Sequence, residues 1–181
     1  MKNHDDMAKA PAERDHIDRF LEEHADALKG VDLAVEAIVD RINGIHRRLR
    51  HALDETLEEF DLSSGEWHLL TMLRWAEPPH RRSPGDLARK LELSSGAMTN
   101  RLDRLERAGF VQRMPDPDDR RGIQVELTGE GLRVWEQSVV AQAEKEAIIA
   151  AALSAEEMDE LNRLLRRVMI QLERREGKAE D

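Results

Sequence analysis

The stretch that decides the fold runs from Ser83 to Thr128 and reads SPGDLARKLELSSGAMTNRLDRLERAGFVQRMPDPDDRRGIQVELT. Its opening serine and proline are the residue types preferred at the N-cap and first position of a helix. Leu87 and Leu91 lie four residues apart and give this helix one apolar edge. The pattern therefore predicts a short helix that ends in a tight turn.

The residues after that turn predict a second helix, which ends at Gly109. Met98, Leu102 and Leu105 recur at helical spacing, so we expect them to face the interior. Two short helices joined by a short turn match the dimensions of a helix-turn-helix. The β-compatible runs FVQRM and QVELT follow. The order helix, turn, helix, hairpin predicts a winged helix-turn-helix.

Long amphipathic helices are predicted on both sides of this module. Apolar residues recur at spacings of three and four from Val31 to Leu53, over about six turns of helix. After the hairpin, Thr128 and Ser154 are suitable N-caps for two more helices. We therefore predict a mainly α fold with a small β-hairpin: a winged helix-turn-helix with long N- and C-terminal dimerisation helices.

The composition argues against several classes of protein. The 181 residues include no cysteine, which excludes disulfides, cysteine-based zinc sites and thiol redox chemistry. Neither histidines at metal-ligand spacing nor a nucleophile elbow or phosphate-binding glycine loop is present. We predict a protein that is not an enzyme and uses no metal or cofactor. Without a signal-peptide core or a run of about 18 apolar residues, we also expect no membrane association and a cytoplasmic location.

Charge is distributed unevenly along the chain. The formal net charge is -10, yet the segment 81–121 carries ten basic and seven acidic residues, a net of +3. A basic segment within an acidic chain suggests one face that meets an anion.

The second helix of the helix-turn-helix carries residue types suited to reading DNA. Amides pair with adenine, guanidinium groups with guanine, and hydroxyls with either. The candidate contacts are Ser95, Thr99, Asn100, Arg101 and Arg104. An ordinary solvated helix face, with Asp103 paired to Arg107, explains this helix equally well.

The loop PDPDDRRG between the predicted strands shifts that balance toward DNA. Pro115 and Pro117 restrict the backbone, and Arg120 and Arg121 lie near the tip. A narrow minor groove attracts such guanidinium groups, and Asp119 is placed to orient Arg121. The alternative is a solvated turn in which the charges cancel.

The chain resembles the MarR family of bacterial winged helix-turn-helix regulators. The resemblance covers about residues 31–172. It rests on a wing D-x-R (Asp119, Arg121) and on a following L-T-x-x-G (Leu127, Thr128, Gly131). It implies an obligate homodimer on a pseudo-palindromic DNA site, with the recognition helix in the major groove and the wing arginine in the minor groove.

A branch of this family that responds to urate-like ligands has an extra N-terminal helix, which residues 16–28 could form. Arg101 and Arg113 match arginines of its ligand site. Phe20 stands near the position of that branch's tryptophan, and His68 replaces its aspartate, so urate itself is disfavoured. The candidate effector residues are Trp67, His68, Arg101 and Arg113. A partly buried, hydrogen-bonded structural role is the favoured alternative for His68.

The predicted organisation has five parts. They are a flexible N-terminus (1–15), N-terminal dimerisation helices (16–60), a winged helix-turn-helix DNA-binding domain (61–128), C-terminal dimerisation helices (129–175) and a flexible tail (176–181). The predicted function is a homodimeric, sequence-specific transcriptional regulator that acts as a repressor and is relieved by a small aromatic or anionic ligand. The alternative is a winged-helix protein–protein adaptor without specific DNA binding.

Overall fold

The computed structural model describes residues 13–117, 119 and 122–177. Within these ranges the chain forms seven helices and three strands. Their bounds are α1 His16–Glu23, α2 Leu33–Glu58, α3 Ser64–Arg74, β1 Arg81–Arg82, α4 Pro84–Lys90, α5 Ser95–Arg107, β2 Val111–Pro115, β3 Ile123–Leu127, α6 Gly129–Ala152 and α7 Ala155–Arg175. The winged helix-turn-helix is confirmed. Most of the two segments predicted to be flexible lies outside the described residues.

The helix starts follow the sequence signals. The Ser63 side chain accepts a hydrogen bond from the Glu66 backbone N–H, while the Glu66 carboxylate accepts one from the Ser63 backbone N–H. Ser83, Thr128 and Ser154 cap α4, α6 and α7 as predicted. Each such cap satisfies N–H groups that the helix leaves unpaired and contributes about 1 kcal/mol.

The chain divides into two compact units, with the boundary after His51. The first unit contains α1, in which Ile17 and Leu21 are buried. Arg41 of α2 binds two acids at the start of α1: its Nε lies 2.9 Å from Asp15 Oδ2 and its Nη2 lies 2.6 Å from Asp18 Oδ1. This double ion pair attaches the first turn of α1 to α2.

The Asp15 carboxylate is stabilised further by its position at the N-cap. The hydrogen bond from Arg41, followed by those from the backbone N–H groups of Asp18 and Ile17, lowers the pKa of the Asp15 carboxyl from 3.8 to about 2. In the folded chain the Asp15 carboxyl is therefore ionised at any pH well above 2.

The second unit contains the main core. Its centre is formed by leucines of α3, α4 and α5 together with valines of the sheet. The buried members include Leu69, Leu70, Leu73, Leu87, Met98, Leu102, Leu105, Val111 and Val125. The predicted inward positions of α5 are thus confirmed, and its opposite face is left for other contacts.

The sheet has one more strand than the predicted hairpin. It is antiparallel with the order β1-β3-β2, and β3 pairs Val125 with Arg82 on one side and with Arg113 on the other. The two-residue strand β1 has no β-type side chains, so nothing local in the sequence marks it. It forms because the chain returns from α3 beside β3.

Two tryptophans join α3 to α6 by reciprocal hydrogen bonds. The Trp67 Nε1–H donates to Ser138 Oγ over 2.9 Å, and the Trp135 Nε1–H donates to Thr71 Oγ1 over 2.9 Å. Because each indole crosses to the other helix, α6 is held in a defined rotation against α3. Among the described residues, no helix is long and apolar enough to cross a membrane.

Candidate nucleic-acid interface

The outward face of α5 carries small polar side chains. Ser95, Thr99 and Asn100 are exposed. Asn100 lies on the side of α5 opposite the buried Met98 and Leu102, whereas Ser95 and Thr99 lie toward the flank and the N-terminal end. The Thr99 hydroxyl donates to the Ser95 carbonyl over 2.9 Å. No side-chain hydrogen bond is formed by Asn100 within the described ranges. The face therefore offers one free amide and two hydroxyls on a rigid support.

Arg101 lies half-buried against the first turn of α3. A Cβ added at Gly65 would lie 2.6 Å from the carbon of the Arg101 guanidinium, so glycine is what allows this approach. Within residues 13–117, 119 and 122–177, Arg101 has neither a hydrogen bond nor an ion pair. Its charge faces the N-terminal end of a helix, which is itself partly positive. An anion at this point would be attracted by both.

Arg104 is engaged by two acids outside its own helix. Its Nε lies 3.0 Å from Glu66 Oε1, and its Nη2 lies 3.2 Å from Asp61 Oδ1. The Arg104 side chain is still 51% exposed. Arg104 is thus a surface cation with a defined orientation rather than a mobile one.

Arg113 connects the first wing strand to α5. Its guanidinium lies 2.7 Å from Asp103 and 2.5 Å from Glu106, and its backbone N–H also donates to Glu106. Burial opposes the charge of Arg113, but the hydrogen bonds to Asp103 and Glu106 outweigh it and raise the pKa of Arg113 above its ordinary value. The proposed pair between Asp103 and Arg107 is wrong: the Arg107 Nε–H donates to the Asp103 carbonyl instead. The Asp103 carboxylate pairs with Arg113 because β2 runs back along α5 and brings Arg113 close to it.

The base of the wing is closed by local hydrogen bonds. The Asp116 N–H donates to the Gly122 carbonyl over 3.0 Å, and the Gly122 N–H donates to the Asp119 carbonyl over 2.8 Å. Gln124 of β3 donates to the Asp116 carboxylate. Arg120 and Arg121 lie outside the described residues, and so does the proposed pairing of Arg121 with Asp119.

The remaining effector candidates lie on α3. Trp67 is half-buried and bonded to Ser138, whereas His68 is exposed, with its Nδ1 2.6 Å from the Ser64 carbonyl. His68 is hydrogen-bonded as expected, but it is not partly buried, because the core side of α3 is taken by its leucines. In the described part of the chain, no group of three or more His, Asp or Glu could hold a metal ion.

Comparison with known proteins identifies the family. The MarR family profile matches residues 62–123, which span the helix-turn-helix and most of the wing. The transcriptional regulator PecS of Dickeya dadantii is 34% identical over 139 residues, which cover 76% of this chain and 84% of PecS. The chain belongs to the MarR family. The MarR protein of Escherichia coli K12 is 32% identical over 130 residues, covering 71% of this chain and 88% of its own length.

Solved structures of MarR proteins share the fold. Apo MarR from E. coli superposes with a TM-score of 0.62 at 30% identity, over 71% of this chain and 93% of that one. A mutant of E. coli MarR in complex with operator DNA gives a TM-score of 0.59 at 29% identity, over 76% and 99% of the two chains. Relatives of this chain are named as transcriptional regulators, not as enzymes. This MarR-family chain is accordingly a DNA-binding transcriptional regulator.

Two acids of this MarR-family interface were not predicted as site residues. Glu66 and Asp61 both contact Arg104, and no motif in the sequence marks either of them as a partner of that arginine. Their partner Arg104 is about forty positions away in the sequence, so no local spacing reveals the pairing. The sequence holds one indication of this pairing. The residue that completes the capping box of α3 is a glutamate, and a carboxylate that becomes buried needs a cationic partner.

Proposed function

We propose that this protein is a homodimeric repressor that binds a pseudo-palindromic operator and is released by a small aromatic or anionic ligand. The observation that carries the proposal is the winged helix-turn-helix, in which α5 packs one side into the core and leaves Ser95, Thr99 and Asn100 exposed. A rigid helix with exposed amide and hydroxyl groups is the form in which a major groove is read.

Exposed apolar faces on two helices support the homodimer. On α2, Val35, Ile38 and Ile45 are 52%, 58% and 55% exposed. On α7, Leu161, Leu164, Leu165, Val168 and Met169 are all more than 40% exposed. Contiguous exposed apolar faces are rare on monomeric proteins, and they mark interaction surfaces. A second copy would cover them and would place two winged modules on half-sites about 34–36 Å apart.

Individual roles follow from residue chemistry. Asn100 would pair with adenine, and Arg101 and Arg104 with guanine or phosphate, while Ser95 and Thr99 contact phosphates or base edges. The wing would insert Arg120 and Arg121 into the minor groove, with Asp119 orienting Arg121.

The proposed effector site comprises Trp67, His68, Arg101 and Arg113. Arg101 supports an anionic ligand most directly, because its charge has no partner among the described residues. A ligand there would contact both α3 and α5, and could change the distance between the recognition helices of a dimer. Since half-site spacing is a geometric requirement, a shift of a few ångström would lower operator affinity.

Binding to the DNA that flanks the protein's own gene tests the proposal. Fluorescence anisotropy should give sequence-preferring binding with an affinity that falls steeply with salt concentration, because phosphate neutralisation releases counterions. Candidate aromatic acids should then lower that affinity. No binding to duplex DNA at low salt would overturn the proposal. Salt-dependent binding without preference for any sequence would favour the adaptor alternative.

Two measurements test the wing contact and the dimer. Arg121→Ala should weaken binding to all sites if the wing contacts the DNA backbone and minor groove, and unchanged affinity would remove the wing from the interface. Analytical ultracentrifugation should give twice the chain mass of 20.8 kDa. A monomer at micromolar concentration would contradict the dimer.

A further inference from the structure

Glu66 makes more contacts than a helix cap requires. Its side chain is 4% exposed and uses both carboxylate oxygens. Oε2 accepts hydrogen bonds from the Ser63 N–H over 2.8 Å and from the Ser63 hydroxyl over 2.7 Å. Oε1 lies 3.0 Å from Arg104 Nε. A neutral glutamine would complete the capping box equally well, so capping does not account for the charge.

The arginine that receives this charge is held by one edge only. Glu66 contacts Arg104 Nε, while the side chain and the carbonyl of Asp61 accept from Nη2 over 3.2 and 3.4 Å. Among the described residues, no contact is made to Nη1. Both N–H groups of Nη1, at the end of the guanidinium, therefore remain available. Guanidinium N–H groups are donors that a guanine edge or a phosphate accepts.

We propose that Glu66 is a positioning residue for DNA recognition: its buried carboxylate, assisted by Asp61, holds Arg104 in the orientation in which the free end of the guanidinium meets the operator. This inference rests on the proposed function, in which α5 reads DNA. It adds a cause for specificity that lies outside α5. A flexible arginine would have to lose its rotamer freedom on binding, whereas Arg104 has already lost it when the chain folds.

The same contacts could act in the opposite direction. A buried carboxylate beside a cation also neutralises it, so Glu66 could hold Arg104 away from DNA and reduce its attraction to phosphate. The two mechanisms predict opposite effects when the charge is removed. Loss of the carboxylate weakens specific binding if Glu66 positions Arg104, and strengthens binding to all DNA if Glu66 restrains it.

A double-mutant cycle separates these mechanisms. Glu66→Gln keeps the size of the side chain and the cap acceptor but places an amide beside the Arg104 guanidinium. Glu66→Gln, Arg104→Ala and the double variant are titrated against an own-promoter duplex and a random duplex of equal length. Because Glu66 is buried, its substitution could also destabilise the fold, and Asp61→Asn therefore serves as a second variant. The Asp61 side chain is 93% exposed, so this substitution should leave the fold intact. Glu136→Gln on the exposed side of α6 is the matched control for loss of one negative charge.

We expect Glu66→Gln to weaken promoter binding about tenfold, which corresponds to about 1.4 kcal/mol, and Asp61→Asn to weaken it less. Random DNA should be affected less than twofold in both, and Glu136→Gln should change neither. The effect of Glu66→Gln should disappear in the Arg104→Ala background. Base-by-base substitution of the half-site should show that Glu66→Gln and Arg104→Ala lose preference at the same base pair. A role in stability alone would not produce that match.

Several results would overturn the inference. One is a gain of affinity in Glu66→Gln for both duplexes, which would establish the restraining mechanism. A second is a loss that persists in the Arg104→Ala background, and a third is a fully active Arg104→Ala. In each case promoter preference of the unmodified protein would leave the proposed function standing. If the unmodified protein has no preference for its promoter, the proposed function fails and this inference with it.

Discussion

Gly131→Ala should be among the most damaging single-methyl additions in this protein. A Cβ at position 131 would lie 2.0 Å from the Phe110 carbonyl oxygen and 2.8 Å from the Phe110 carbonyl carbon. Ordinary contact begins at 3.4 Å, so the first turn of α6 and the start of β2 would have to separate by about 1.4 Å. Both obstructing atoms belong to the backbone, and no side-chain rotation can relieve the overlap.

The energetic cost follows from that separation. Inserting a methyl group into a packed interior costs about 1–3 kcal/mol. The same Phe110 carbonyl accepts a hydrogen bond from the Thr128 N–H over 3.1 Å. Losing this bond adds about 0.5–1.5 kcal/mol. We therefore expect Gly131→Ala to lower the free energy of unfolding by about 3 kcal/mol.

Urea unfolding followed by tryptophan fluorescence measures this loss, because Trp135 lies one turn further along α6. Gly129→Ala is the matched control: it adds the same methyl group in the same helical turn, where nothing lies within 4 Å. Alanine is the better helix former, so the control should be neutral or stabilise by up to about 1 kcal/mol. Equal stability of the two variants would refute the argument, since it would show that α6 and β2 separate without cost.

Three further predictions concern surface groups. The Asp15 carboxyl should titrate with a midpoint near 2 by NMR and return toward 3.8 in Arg41→Gln. Its contribution to stability should be complete above 3.8 and lost as the pH falls through 2. A midpoint unchanged by the substitution would contradict the role of Arg41. Gly65→Ala should displace only the flexible end of Arg101 and cost less than about 1 kcal/mol in a thermal melt, and a larger loss would mean that this contact supports the fold. Asn100→Ala should weaken operator binding by about 1–3 kcal/mol with little change on random DNA, and equal losses on both would make Asn100 a phosphate contact.

The features that could be predicted from sequence are those decided within a few residues. Caps at Ser83 and Thr128 and the inward positions of Met98 and Leu102 follow from helix geometry, which has a range of three or four residues. Tertiary structure reinforces these local preferences here. The helices, the hairpin and the module that they form were therefore accessible from the sequence alone, whereas strand β1 was not.

Pairings across the fold were not accessible in this way. The i,i+4 rule favoured Asp103 with Arg107, but β2 brings Arg113 to the same carboxylate with better geometry. Arg41 reaches Asp15 across 26 positions, and Glu66 reaches Arg104 from another helix. Charged side chains are numerous in this chain, and each has several possible partners. Which partner it takes depends on the placement of the elements, and that placement is absent from any short window of sequence.

The reciprocal tryptophan bonds make α6 a mechanical lever. The helix has 24 residues, which corresponds to a length of about 36 Å. Trp135 and Ser138 clamp its N-terminal part to α3, and Thr128 ties its start to the wing. A tilt of about 5° about Ser138 would displace the C-terminal end of α6, about 21 Å away, by about 2 Å. A small rotation of α6 at its contact with α3 would therefore become a displacement of this size at Ala152.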